Sequence, residues 1–164
     1  MILDSVTDEQ WNEHVMEGEA FTAESIVAGV GGMSPEGQIF NPVASGVRLR
    51  LRCLEMMAFV GGPINSNVRR HDVALPNLDA PPFGGPENML GGGAAPAAEF
   101  RFDNVVALVG SPFWLILSAG QTRKDYSVLH QDWGHDLLPG QGMMMSGAVG
   151  GFLIIGWQWV EVPL

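Results

Sequence analysis

The sequence predicts a mainly β protein, an antiparallel β-sandwich or jelly roll with a short helical arm at its N-terminus. The chain contains 22 glycines and 11 prolines among 164 residues, too many helix breakers for a helical bundle. Short apolar runs alternate with turn residues at roughly even spacing, which is typical of all-β domains. In residues 47–53, aliphatic residues and a cysteine alternate with three arginines, the period of two that places one face of a strand in a core.

Residues 1–37 are predicted to form an acidic arm consisting of a short helix and a loop. Residues 1–47 contain eight acids and no Lys or Arg, whereas residues 48–164 carry ten acids and eight basic residues. Within the helix, Trp11 and Val15 are four residues apart and therefore share one face, and Gly18 can end the helix. This face either packs on the edge of the protein's own domain or docks on a neighbouring subunit or partner protein.

Residues 38–164 are predicted to form the β-sandwich domain, with a long Gly/Pro-rich loop at 81–98. Strands are predicted at 21–28, 47–60, 67–75, 100–109, 113–118, 126–133, 142–148 and 152–162. In the second of these strands the apolar positions change parity after Cys53, so we expect a bulge near Glu55 or burial of both faces. The last strand is apolar on both faces, which predicts a place in the middle of a sheet or under a neighbouring subunit.

Composition excludes several classes of function. A net charge of −10 disfavours nucleic-acid binding, which depends on basic residues. A single cysteine excludes an internal disulfide and a cysteine-rich zinc site. Residues 143–160 are nearly uncharged, but their glycines favour two strands joined by a turn over a membrane helix. We therefore expect no membrane insertion, and no cofactor.

The arginines at alternate positions, Arg48, Arg50 and Arg52, form the strongest basic feature of the sequence. Such a row can bind an anion, or it can be the solvent face of a strand. Because the chain has many acids and few other basic residues, pairing with acids of the same or a neighbouring chain is the favoured interpretation. Together with Trp11 and Val15, this row is the predicted attachment surface.

Two alternatives involve the segment around residue 130. Tyr126, His130 and Trp133, with the 81–98 loop, could form an edge that binds a receptor or a carbohydrate, because aromatic side chains suit such ligands. A cupin-like metal enzyme could use His71, His130, Asp132 and His135. The cupin pattern requires a further histidine after the Pro-x-Gly turn, and none follows Pro139 here. We accordingly expect neither a metal site nor catalysis.

Three segments resemble virion proteins of tailed bacteriophages, in this order along the chain. They are the Asn-Pro-x-x-Ser-Gly entry to a strand at 38–47, the Leu-Leu-Pro-Gly-Gln-Gly segment at 137–142, which is similar to a Leu-Pro-x-Gly turn, and the Trp-x-Trp-Val-Glu-Val-Pro ending at 157–164. The resemblance implies a non-enzymatic structural role in a head decoration, spike or tail-associated β-sandwich. It also implies a symmetric homo-oligomer, frequently a trimer, contacts with other virion proteins, and location in a virion assembled in the host cytoplasm. It supplies no catalytic residues.

Overall fold

A computed structural model describes residues 8–30, 33–59, 64–78, 87–91, 95–103, 111–119, 124–127, 136–147 and 151–164. It contains one helix and twelve strands in these ranges. The elements are α1 Asp8–Glu17, β1 Ala20–Ala28, β2 Glu36–Asn41, β3 Val47–Phe59, β4 Ile64–Arg70, β5 Asn77–Leu78, β6 Glu87–Asn88, β7 Glu99–Asp103, β8 Ser111–Ala119, β9 Lys124–Ser127, β10 Asp136–Leu137, β11 Gln141–Ser146 and β12 Phe152–Pro163.

The strands form two antiparallel sheets that pack face to face as a β-sandwich, which confirms the predicted fold class. Sheet A has the order β10-β3-β12-β1-β6, with β9 also paired to β3. Sheet B has the order β5-β7-β2-β11-β4-β8. One hydrophobic core joins them, because buried residues of both sheets belong to a single cluster, among them Trp157 and Trp159 from sheet A and Ile39 and Met145 from sheet B.

Strand β12 occupies the middle of sheet A, as its two apolar faces predict. It pairs with β3 along its whole length and with β1 from Phe152 to Val160. Leu153, Ile155, Trp157 and Trp159 alternate along the strand and are buried on its inner face. Trp159 stacks on Phe21 with ring centroids 5.6 Å apart and meets Phe100 at 5.4 Å. The contact between Trp159 and Phe100 of β7 joins the two sheets within the core.

Strand β3 contains the irregularity that the sequence predicts, three residues earlier than expected. Cys53 pairs with Gln158 and Leu51 pairs with Trp159, so Arg52 is the extra residue of a bulge. The prediction placed the bulge near Glu55, where the apolar parity had already changed. A bulge shifts the parity of every residue after it, which is why the pattern locates it only approximately.

Residues 1–37, predicted as an acidic arm, contribute to both sheets besides forming α1, and the strand predicted at 21–28 is among these contributions. Residues 20–28 form β1, which lies between β12 and β6 inside sheet A. Residue 37 falls within β2, which pairs with β7 and β11 in sheet B. Acidic residues are compatible with this strand, because Glu24 points outward from β1 and does not interrupt its buried face.

Several predicted strands end earlier than expected or are described in part. The strand predicted at 67–75 runs from Ile64 to Arg70, and residues 71–76 cross the outer face of sheet B instead. The predicted loop 81–98 is described at 87–91 and 95–98, and it includes the short strand β6. The remainder of that loop and residues 104–110 and 128–135 lie outside the described ranges. In the described part of the chain, no helix is long and apolar enough to cross a membrane.

Candidate interaction surface

Helix α1 covers one end of the outer face of sheet A. Trp11 is only 5% exposed and forms a second apolar cluster with Ala20 of β1 and Val160 of β12. Val15 and Val162 pack against this cluster. Both predicted residues of the helix stripe therefore contact the protein's own sheet, and a partner could bind Trp11 only after α1 had left it.

The end of α1 is fixed by a glycine and by local hydrogen bonds. Gly18 has a φ of +75°, the left-handed conformation that favours glycine. Its N–H donates to the carbonyl of Val15, and the N–H of Glu19 donates to the carbonyl of His14, the two bonds of a Schellman ending. His14 Nδ1 also lies 2.8 Å from a carboxylate oxygen of Glu19. This geometry turns the chain directly from α1 into β1, which positions Trp11 over the sheet.

The bulged arginine of β3 extends this contact. The guanidinium carbon of Arg52 lies 4.5 Å from the centroid of the Trp11 ring, within the range of a cation–π interaction. Its Nη1 donates to Oε1 of Gln158 at 3.4 Å. Arg52 thus contacts the arm through its tryptophan, a contact that the sequence pattern did not predict.

The other two arginines of the row surround one aspartate of the body. Arg50 Nε donates to Oδ1 of Asp136 at 3.3 Å, and Arg48 Nε forms an ion pair with Oδ2 at 3.3 Å. Asp136 belongs to β10, which pairs with this part of β3. The arginine row therefore contacts an acid of its own chain, and sequence reasoning did not identify Asp136. In the sequence, the position of Asp136 directly before the Leu-Pro-x-Gly turn was the feature that could have identified it.

The opposite end of the same outer face exposes apolar side chains. Ile26 and Ile154 are directly paired, and Phe152, two residues before Ile154, is 52% exposed. The turn after β1 adds Val30 and Met33, which are 54% and 42% exposed. The N–H of Gly29 donates to the carbonyl of Gly151 at 2.7 Å, which holds this turn beside the start of β12. We call these five residues (Ile26, Val30, Met33, Phe152 and Ile154) the open patch.

The segments at 38–47, 137–142 and 157–164 meet at one end of the sandwich. The turn after Asn41 closes through a hydrogen bond from the N–H of Ser45 to the carbonyl of Pro42. The side-chain amide of Asn41 donates to the carbonyls of Val47 and Leu137, at 2.9 and 2.8 Å. The Asn-Pro turn is thereby tied to the segment that opens the Leu-Pro-x-Gly turn.

The C-terminal segment completes this end. The N–H of Leu164 donates to the carbonyl of Gly46 at 3.1 Å. The carboxylate of Glu161 accepts hydrogen bonds from the backbone N–H groups of Ala97 and Ala98, both at 3.0 Å, and from Nε1 of Trp159 at 3.2 Å. The three segments therefore form one packed structural unit, with side-chain-to-backbone bonds between turns that are distant in sequence.

The outer face of sheet B is covered by the chain itself. Gln38 of β2 is buried and its amide nitrogen donates to the carbonyls of His71 and Val73, at 2.8 and 3.1 Å. Its amide oxygen accepts from the N–H of Leu75 at 2.8 Å. Arg101 of β7 donates to the carbonyl of Leu75 at 2.9 Å. Sequence reasoning did not identify Gln38, because a glutamine in a strand is typical of a solvent-facing position.

The residues of the predicted ligand edge are only partly described. The backbone of Tyr126 pairs with Leu54 at the edge of sheet A, whereas His130 and Trp133 lie outside the described ranges. Of the four residues considered for a metal enzyme, His71 alone is described. Its partial burial lowers the pKa of its imidazole, an effect that the nearby Asp72 opposes.

No protein-family model, curated protein sequence or solved structure matches this chain.

Proposed function

We propose that the protein is a non-enzymatic structural component of a phage virion that assembles as a symmetric oligomer through the open patch. The observation that carries this proposal is the exposure of Phe152 and its neighbours on a strand in the middle of a sheet. A central strand with one uncovered apolar face gains stability when a second surface excludes water from it. The order of the three phage-like segments supports the virion context.

A second copy of the chain is the occupant that this surface fits. The open patch is apolar, so two copies related by symmetry can bring it together without opposing like charges. By contrast, the whole chain carries a charge of −10, and contacts elsewhere on its surface would oppose acid to acid more often. The uncharged patch is therefore the favourable place for identical chains to meet.

Self-association tests this proposal, with the variant Phe152→Ser. Analytical ultracentrifugation of the wild-type chain over a series of micromolar concentrations is expected to show a defined oligomer. Phe152→Ser should weaken the association at least about tenfold, because an aromatic anchor at an interface commonly contributes more than 1 kcal/mol. Leu78→Ser is the matched control, since Leu78 is also an exposed apolar strand residue but lies on sheet B.

Two results would contradict assembly through this patch. One is a wild-type chain that stays monomeric throughout the concentration series. The other is an oligomer that Phe152→Ser and Leu78→Ser leave equally strong. The virion context is tested separately, by mass spectrometry of purified phage particles from the source of the gene, in which the chain is expected as a stoichiometric component. Its absence from such particles would refute that part of the proposal.

A further inference from the structure

Three oxygen-bearing side chains form a buried row across sheet B. Glu36 of β2 stands directly opposite Asp103 of β7 on one side and Ser146 of β11 on the other. Directly opposed residues of antiparallel strands project to the same face of a sheet. Asp103, Glu36 and Ser146 are 3%, 0% and 2% exposed. We call these three residues the oxygen row; it lies on the same outer face as Gln38.

The carboxylate in the middle of the oxygen row lacks hydrogen-bond partners. Among the described residues, neither oxygen of Glu36 has such a partner, although both oxygens are buried. Buried carboxylates normally accept hydrogen bonds or contact a cation, because they have lost their hydration. Desolvation first, and the negative charge of Asp103 second, raise the pKa of Glu36 to about 7, and the positive charge of Arg69 opposes them less strongly. The site therefore favours additional positive charge.

Besides Arg69, the described part of this face contains Arg101, whose guanidinium already contacts other groups. Arg101 stands opposite Gln38, in the neighbouring row. Its guanidinium lies 2.7 Å from the carboxylate of Glu99 and bonds the carbonyl of Leu75. With both carboxylates ionised, the combined charge of Glu36, Asp103 and Arg69 is −1. The oxygen row thus combines net negative charge with a carboxylate that has no hydrogen-bond partner in the described part of the chain.

We propose that the oxygen row binds a calcium-like divalent cation between β2 and β7, through the carboxylates of Glu36 and Asp103. Hard cations of this kind prefer carboxylate and hydroxyl oxygens. Neighbouring strands lie about 4.8 Å apart, which is about twice the 2.3–2.6 Å length of a calcium–oxygen bond. An ion between two strands can therefore contact a ligand from each. This inference does not depend on the proposed assembly function.

Calcium suits the row better than magnesium or a proton. Magnesium requires near-ideal octahedral geometry, whereas calcium accepts irregular arrangements of carboxylate oxygens. A proton neutralises Glu36 but contacts only one of the row's oxygens.

Calcium titration by isothermal calorimetry tests the site, with Glu36→Gln as the principal variant. At about pH 8 the wild-type chain should bind one calcium ion per chain. Glu36→Gln should lower the affinity at pH 8 at least about tenfold, because it removes a charged ligand. Glu24→Gln is the matched control, since Glu24 is an exposed strand glutamate on sheet A.

A second variant serves if Glu36→Gln does not fold, and circular dichroism checks the fold of each variant. Asp103→Asn should also lower the calcium affinity, and it replaces Glu36→Gln in the comparison if that variant fails to fold. The proposal is overturned if the wild-type chain binds no calcium at millimolar concentration. It is equally overturned if both variants bind calcium as tightly as Glu24→Gln does. Self-association measured in the same samples separates this outcome from failure of the assembly proposal.

Discussion

The two outer faces of the sandwich are covered in contrasting ways. On sheet A the covered end consists of apolar groups, and α1 shields it through Trp11 and a small cluster of aliphatic residues. On sheet B the covered face is polar, and Gln38 bonds three backbone groups of residues 71–75. An apolar face needs only contact with another apolar surface. A polar face can be buried only if each donor and acceptor finds a partner.

This contrast explains why each face has one incomplete region. On sheet A, the open patch lies beyond the reach of the ten-residue helix α1, and the missing element is simply more apolar surface. On sheet B, Glu36 lies beyond the residues that Gln38 binds, and the missing element is a partner for two oxygens. The open patch on sheet A can therefore be completed by a second protein surface, and the site at Glu36 on sheet B can be completed by a cation.

The largest effect expected from this contrast is a pH dependence of the free energy of unfolding, which arises from Glu36 on sheet B. The pKa of Glu36 is about 7 in the folded chain and 4.5 ordinarily. As pH rises from about 4.5 to 7, the unfolded chain releases this proton first, so the folded state is progressively destabilised. The loss should reach at most about 3 kcal/mol and then level off above pH 7. Denaturant titrations in chelator-containing buffer measure it.

Glu36→Gln is the comparison that isolates this contribution. The variant has no carboxyl group at this position, so its stability should fall less than that of the wild-type chain over the same pH range. Glu24→Gln should follow the wild-type curve, since Glu24 is exposed. Parallel curves for wild-type and Glu36→Gln would show that Glu36 titrates normally.

The next largest effect is expected for the glutamine that fastens the cover of sheet B. Gln38→Ala removes three hydrogen bonds to backbone groups of residues 71–75. At about 1 kcal/mol each, the free energy of unfolding should fall by between about 2 and 3 kcal/mol. Hydrogen exchange should accelerate at Leu75, whose N–H loses its acceptor. Unchanged protection at Leu75 would contradict the proposed role of Gln38.

A smaller effect is expected at the covered end of sheet A. Trp11→Ala should lower the free energy of unfolding by about 2 kcal/mol, less than the 3–5 kcal/mol of a central aromatic residue, because α1 can detach. It also removes the cation–π contact with Arg52. Chemical denaturation measures the loss, and Trp11→Phe is the control that should retain most of the stability. A loss as large as that of Trp159→Ala would mean that α1 is integral to the main core.

Some parts of the fold could be predicted because their signal is local. The two apolar faces of residues 152–162 predict a central strand, and β12 is one. The alternation at 47–53 predicts a strand, and β3 begins at Val47. The helix ending at Gly18 follows from its position after the Trp11 and Val15 stripe. Each of these patterns depends on neighbours within a few residues, so the sequence displays it directly.

The candidate sites were less predictable because their signal is not local. Glu36 and Gln38 are typical of solvent-facing strand positions, yet both are buried by the rest of the fold. Asp136 meets Arg48 and Arg50 only because β10 pairs with β3. The bulge at Arg52 is defined by its register against β12, more than 100 residues away in sequence. No single stretch of sequence contains these relations.

The sequence alone thus determined the class of fold, the acidic N-terminal segment and the turns of this protein, since periodicity and turn chemistry act over short distances. The tertiary structure alone decided which surfaces are covered and by what. Trp11 packs on the protein's own sheet, Arg48 and Arg50 contact Asp136, and Glu36 is buried opposite Asp103. The reason is physical: burial depends on which distant segment packs over a side chain, and that is set by strand order and register.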